Sequence, residues 1–180
     1  MVIELKNFLK IFCLAIFVVT LMAESVFANP YPDTLDSGNL VCVDGGMGVG
    51  RYADRSSVQV QMYAPPNYQI SIKIFPVTFS EDYYREHKTY AGGPYKIGNS
   101  YIELSFKYNF DRKVISYQRS GTWFDWDVNR AYSHAEGYPL IPLSAEAAFV
   151  SAYNVRFFDN KIGYGGQRVI SEDFYSALNI

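Results

Sequence analysis

Histidine and cysteine are scarce in this chain, with two of each in 180 residues. Transition-metal centres of the usual kinds draw on clusters of those two residue types. His87 and His134 stand at ligand spacing neither to each other nor to another good donor, so the spacing gives no zinc or copper site. Gly-x-Ser-x-Gly is absent, which removes the usual acyl-transfer elbow. Gly-Lys-Ser/Thr is absent too, which removes the P-loop. Charge of one sign is also lacking. A formal net charge of −2 with no basic stripe offers no steering field for nucleic acid or anionic lipid. No cofactor is expected.

Long apolar runs are few, and one of them is diagnostic. Lys6 and Lys10 precede Ile11 to Met22, which is apolar apart from Thr20, and Val26-Phe27-Ala28 supplies a small-residue exit. That layout is a secretory signal peptide over residues 1–28. Twelve residues rise about 18 Å as a helix, short of a ~30 Å hydrocarbon core, so no permanent anchor is expected. Cleavage after Ala28 removes 28 of 180 residues and leaves 152, one domain's worth. Cys13 leaves with the signal. Cys42 then has no intramolecular disulfide partner, and its setting in Leu40-Val41-Cys42-Val43 reads as a buried core thiol.

What the chain has in plenty is tyrosine, 16 residues, all beyond the signal and accompanied by both tryptophans. Broad rings with polar tips suit half-buried sheets and contact surfaces alike. Residues 29–38 (NPYPDTLDSG) read as a mobile leader and residues 39–180 as a single α+β domain. Ser56 to Met62 alternates Val58, Val60 and Met62 against Gln59 and Gln61, and Tyr68 to Phe75 alternates Ile70, Ile72 and Ile74 against Ser71 and Lys73. Period two marks half-buried strands, here joined through Ala64-Pro65-Pro66-Asn67 into a hairpin with a loop longer than two residues. Ser100 to Tyr108 (Ile102, Leu104, Phe106 inward) and Lys113 to Gln118 form a second hairpin, and Thr122 to Trp126 a short aromatic strand. Glu81 to Tyr90 is polar and ambiguous. After Pro142, Ser144 can cap a helix over Ala145 to Phe157 with an apolar stripe through Ala148, Phe149 and Tyr153, and Ser171 to Leu178 can add a turn or two. The fold expected is therefore an antiparallel sheet built from hairpins and covered by one C-terminal helix.

Gly45 to Gly50 follows a strand, as a phosphate loop does, but Arg51 to Met62 continues as strand where a phosphate site needs a helix N-terminus. The cluster reads as a turn or bulge. Asp125, Asp127, Asn129, Ser133 and Glu136 occupy the first, third, fifth, ninth and twelfth positions of a calcium-loop template. Arg130 replaces the glycine that makes the sharp turn, a strand precedes the loop, and Gly137-Tyr138-Pro139 opposes an exit helix. Tight calcium binding is not expected, so no metal site is assigned. His134 beside Asp125, Asp127 and Glu136 has acid/base potential but no nucleophile to serve. Trp123, Asp125, Trp126 and Asp127 compose either a sugar- or peptide-contacting surface or the aromatic edge of a small core.

Asp54 to Val77, Phe106 to Tyr117 and Pro142 to Phe158 resemble segments of small exported proteins from Selenomonas- and Veillonella-like bacteria. That family has no assigned activity, so the resemblance implies bacterial export and transfers no site residue. Two functional expectations stand side by side. One is an exported, non-enzymatic module, periplasmic or secreted, that contacts a protein or cell-wall glycan through an aromatic-rich surface. The other is a small envelope polysaccharide hydrolase or lyase with a carboxylate pair, Asp125 or Asp127 with Glu136, or an inhibitor of such an enzyme.

Overall fold

In the computed structural model, residues 29–127, 139–159 and 170–180 are described. The sheet belongs to the compact unit Tyr31–Ile180. Its strands are β1 (Thr34–Leu35), β2 (Leu40–Gly46), β3 (Val49–Ala64), β4 (Asn67–Phe79), β5 (Tyr95–Ile97), β6 (Ile102–Asn109), β7 (Val114–Arg119) and β8 (Thr122–Trp126). They form one eight-stranded sheet in the order β1-β2-β3-β4-β6-β7-β8, with β5 also paired to β4. Every pairing is antiparallel. The described helices are α1 (Glu81–His87), α2 (Leu140–Tyr153) and α3 (Glu172–Ala177). A mostly antiparallel sheet with a few helices fits the α+β class.

Alternation places the core where expected through most of the sheet. Ile70, Ile72 and Ile74 of β4 and Leu104, Phe106 and Tyr108 of β6 are buried on one face, together with Val41, Val43 and Ala53. Ala145, Ala148 and Phe149 of α2 complete that cluster with Phe157, Tyr175 and Leu178 from the C-terminal segment. Each fully buried large aliphatic is worth about 1.5–3 kcal/mol. Two residues of the expected core are instead open: Val60 is 48% exposed and Ile102 51%. Val60 sits on the half of β3 that β2 does not reach, beside register shifts after Asp54 and Val60. Ile102 opens β6, whereas α2 packs chiefly on β2, β3 and β4. The β3–β4 connection is also tighter than its composition suggests, with only Pro65 and Pro66 between the strands.

α2 begins earlier than Ser144 suggests. Pro142 falls within its first turn, where a missing N–H removes no helix bond. Ile141, Pro142 and Ser144 to Val150 are all buried and the other residues of the helix are half-buried, so it has no exposed stripe. Glu146 is part of that interior, with no accessible surface. Its carboxylate accepts the backbone N–H groups of Phe157 at 2.8 Å and Phe158 at 3.0 Å. α2 ends at Asn154 in the left-handed conformation, which leaves Arg156 outside the helix. Arg156 pairs with Glu172 of α3 at 3.0 Å, donates to the Ile180 carbonyl at 3.1 Å and lies 4.0 Å over the Tyr175 ring. It clamps the C-terminal segment.

The opposite sheet face carries a second cluster: Tyr31, Leu35, Leu40, Cys42, Tyr52, Val77, Phe79 and Tyr90. Of residues 29–38, Tyr31 and Leu35 pack in this cluster, and β1 pairs with β2. The Cys42 thiol is buried and donates to the Asp44 carbonyl at 3.6 Å. The glycine cluster serves this packing. Met47 and Gly48 both have positive φ, 53° and 76°, and make the two-residue β2–β3 turn. Gly45 and Gly50 pair across the hairpin and form the floor beneath the Tyr31 ring. The Tyr31 oxygen accepts the Gly48 N–H at 3.0 Å.

Candidate binding face

Beyond the second cluster, the face opposite α2 over β6, β7 and β8 is, among the described residues, exposed at Lys107 and Asp125 and half-buried at Ser105, Ser116, Gln118 and Trp123. Period two dictates its residues: with Leu104, Phe106 and Tyr108 inward, Ser105 and Lys107 point out. Ile115 and Trp126 face the core, so Ser116, Gln118, Trp123 and Asp125 face away. Register then sets two rows across the strands. One is Lys107, Ser116, Asp125; the other is Ser105, Gln118, Trp123.

The rows are tied together by short contacts. Ser116 Oγ donates to Asp125 Oδ1 at 2.6 Å. Lys107 Nζ lies 4.0 Å over the Trp123 ring. Gln118 Nε2 reaches the Gly121 carbonyl at 3.3 Å. Near the start of β6, Lys73 of β4 lies 4.5 Å over the exposed Tyr101 ring, which meets Phe75 at 5.5 Å. The surface thus offers a flat indole and a phenol ring, each with its own ammonium, separated by hydroxyl, amide and carboxylate groups. Rings stack on apolar ligand faces while the polar groups between them bond hydroxyls or amides.

The residues singled out from sequence are only partly brought together. Trp123 and Asp125 share the open face. Trp126 is a correction: it is 4% exposed and belongs to the core, because strand alternation turns it opposite to Trp123. Asp127 is exposed immediately after β8. Asn129, Ser133, His134 and Glu136 lie outside the described residues, and so does the loop that would gather calcium ligands or a carboxylate pair. Among the described residues no group of three or more His, Cys, Asp or Glu could hold a metal ion. Lys107, Ser116 and Tyr101 carry no sequence signature of their own; strand pairing alone sets Lys107 and Ser116 beside Asp125 and Trp123.

A groove of about 760 Å³ lies elsewhere, lined by Asp33, Asp36, Tyr95 and Asp173 and by none of the residues just named. Buried titratable groups cluster away from the open face as well. Burial pushes the Glu146 carboxyl up to about 7, against the lowering effect of its two backbone donors, the Tyr175 phenol and the Lys113 charge. Burial likewise raises Tyr108, Tyr52 and Tyr90 well above the ordinary phenol range, and a Glu81 contact adds to the effect on Tyr90. These are packing residues, each with its ring in one of the two clusters.

No protein-family model, curated protein or solved structure matches the chain.

Proposed function

We propose that this protein is an exported, non-enzymatic binding module of the bacterial envelope whose open sheet face contacts a cell-wall glycan. The observation that carries the reading is the pairing of Trp123 with Lys107 directly beside the Ser116–Asp125 hydrogen bond. A sugar ring presents C–H groups on one side and hydroxyls around its rim. The indole suits the first, and the carboxylate, hydroxyl and amide suit the second. Lys107 lies over the ring it would expose, yet an exposed cation–π contact is worth only about 0.5–1 kcal/mol. The ammonium can therefore swing aside to a ligand hydroxyl at little cost. Among the described residues no helix is long and apolar enough to cross a membrane. Export rests on the residue 1–28 pattern and on the resemblance to small exported bacterial proteins.

The test is co-sedimentation with purified insoluble cell-wall glycan, followed by titration with soluble fragments of it. Trp123→Ala should weaken binding by about tenfold or more, as loss of a central aromatic anchor does. Its melting temperature should stay close to that of the parent, because Trp123 lies outside the core clusters. Phe124→Ala, on the other face, should bind normally. Equal binding by Trp123→Ala and the parent would remove this face from the reading. Release of reducing ends during incubation would identify a hydrolase instead.

Export has its own check. Intact mass of the protein recovered from the envelope or medium should correspond to a chain beginning at Asn29. A main product still carrying Met1 would overturn signal cleavage.

A further inference from the structure

The row that ends at Trp123 continues past β6 onto β4 and β3. Ser105 faces Ser71, and Ser71 faces Gln59, so the row runs Gln59, Ser71, Ser105, Gln118, Trp123 over five strands. At ~4.8 Å per strand it is about 19 Å long. None of its members is charged. The rows on either side carry charge of both signs. Lys107 shares one with Asp125, and Lys73 stands in the other between Asp54 and Glu103. With carboxylates beside each ammonium, the face holds no excess of positive charge to attract a polyanion. Ser71 is the odd member of the row. Ile70 and Ile72 on either side of it point into the core, so its own side chain points out. It is nevertheless 1% exposed, and among the described residues its hydroxyl has no hydrogen-bond partner. Buried polar groups are almost always bonded, so an exception asks for a role.

We propose that this row is a track for a linear, uncharged glycan laid across the strands, with Trp123 under one unit and the Ser71 hydroxyl bonding another. The track rests on the glycan reading of the same face and gives the ligand a length and a charge class. A serine hydroxyl donates and accepts, as does a glutamine amide, so the row can bond hydroxyls or acetamido groups in either sense. An anionic chain would instead set its charge against Asp54, Glu103 and Asp125. Ser71 on β4 lies three strand spacings from Trp123 on β8, about 14 Å, beyond a single sugar stacked on the indole. Only a longer chain meets both. Gln59 and Lys73 flank Ser71 on this face, and neither is buried. Both side chains can therefore turn aside as the chain settles.

The experiment is calorimetric titration of the full chain as the cell processes it, with chitobiose and chitohexaose as uncharged probes and polygalacturonate as the anionic one. Chitohexaose should bind about tenfold or more tighter than chitobiose, and polygalacturonate should not bind measurably. Ser71→Ala should weaken chitohexaose binding about three- to tenfold, one hydrogen bond's worth, and leave chitobiose binding unchanged. Its melting temperature should match the parent's or exceed it, since no bond to a described residue is lost. Ser105→Ala, the next position along the row, carries the same test if Ser71→Ala does not fold. Equal binding of the two oligomers would overturn the track. So would binding of polygalacturonate, or a Ser71→Ala variant that binds chitohexaose as the parent does. Retention on insoluble cell-wall glycan without binding of chitohexaose would overturn the track and leave the glycan reading in place. A parent that binds neither would end both.

Discussion

Glu146→Ala is expected to destabilise the fold by about 3–5 kcal/mol in denaturant titration, because it strands two buried backbone donors. The carboxylate holds the N–H groups of Phe157 and Phe158, both buried residues that follow the end of α2. With alanine those donors lose their acceptor where water does not reach, at about 1–3 kcal/mol each. The same segment leads to Arg156, Glu172 and Tyr175, so loosening it should also release the C-terminal helix. Hydrogen exchange should show the amides of 157 and 158 losing protection before those of β4. If they kept native protection, the carboxylate would not be what holds that segment.

Titration of the same group gives the fold a pH dependence of defined sign. Burial lifts Glu146 from its ordinary 4.5 to about 7. A carboxyl with a raised native pKa binds its proton more tightly folded than unfolded. Its contribution to stability is complete below about pH 4.5 and is lost as pH rises through about 7. A difference of that size corresponds to roughly 3 kcal/mol. Glu146→Gln keeps the shape and removes the proton, so its stability should be flatter than the parent's across this interval. An unchanged slope in Glu146→Gln would assign the titration to another group.

Elements with one dominant pattern were legible in the sequence. Ile70, Ile72, Ile74, Leu104 and Phe106 lie inward because each strand has one face packed on a common core. Position within the sheet was not legible. Val60 and Ile102 continue the same alternation into regions where nothing described covers them, and period two cannot say where a cover ends. The second cluster was missed because Tyr31, Tyr52, Phe79 and Tyr90 come from separate stretches with no shared period. The sequence signal for a buried Glu146 is its setting among Ala145, Ala147, Ala148 and Phe149. One local signal went unused. Ser80-Glu81-Asp82-Tyr83-Tyr84 and Ser171-Glu172-Asp173-Phe174-Tyr175 share a pattern, and both serines cap helices, accepting N–H groups at 3.3 and 3.2 Å. Only the second was read as helix. Of the candidate face, Trp123 and Asp125 could be found from composition. Lys107 and Ser116 come from strands a dozen or so residues away, so only pairing register reveals them.

Gly45→Ala is expected to cost about 2–3 kcal/mol, the range for forcing an atom into a packed site, although it adds a single methyl group to a strand. A β-carbon at that position would stand 2.5 Å from two carbons of the Tyr31 ring. The ring has little room to retreat. It is stacked on Tyr90 at 4.8 Å, set edge-on to Phe79 at 5.5 Å and held by the Gly48 N–H. Relief of the clash therefore means withdrawal of Tyr31 from its cluster, and with it the segment that β1 pairs to the sheet. Gly46→Ala is the control one residue away, since a β-carbon there meets nothing within 4 Å. Its effect should stay within about 0.5 kcal/mol, as for an ordinary surface change. A double-mutant cycle separates the clash from any backbone effect. In a Tyr31→Ala background the ring is already gone, so Gly45→Ala should then be nearly neutral, giving a coupling of about 2 kcal/mol between the two sites. Equal costs in both backgrounds would show that Gly45 is needed for its own backbone, and that the Tyr31 ring does not depend on the glycine floor.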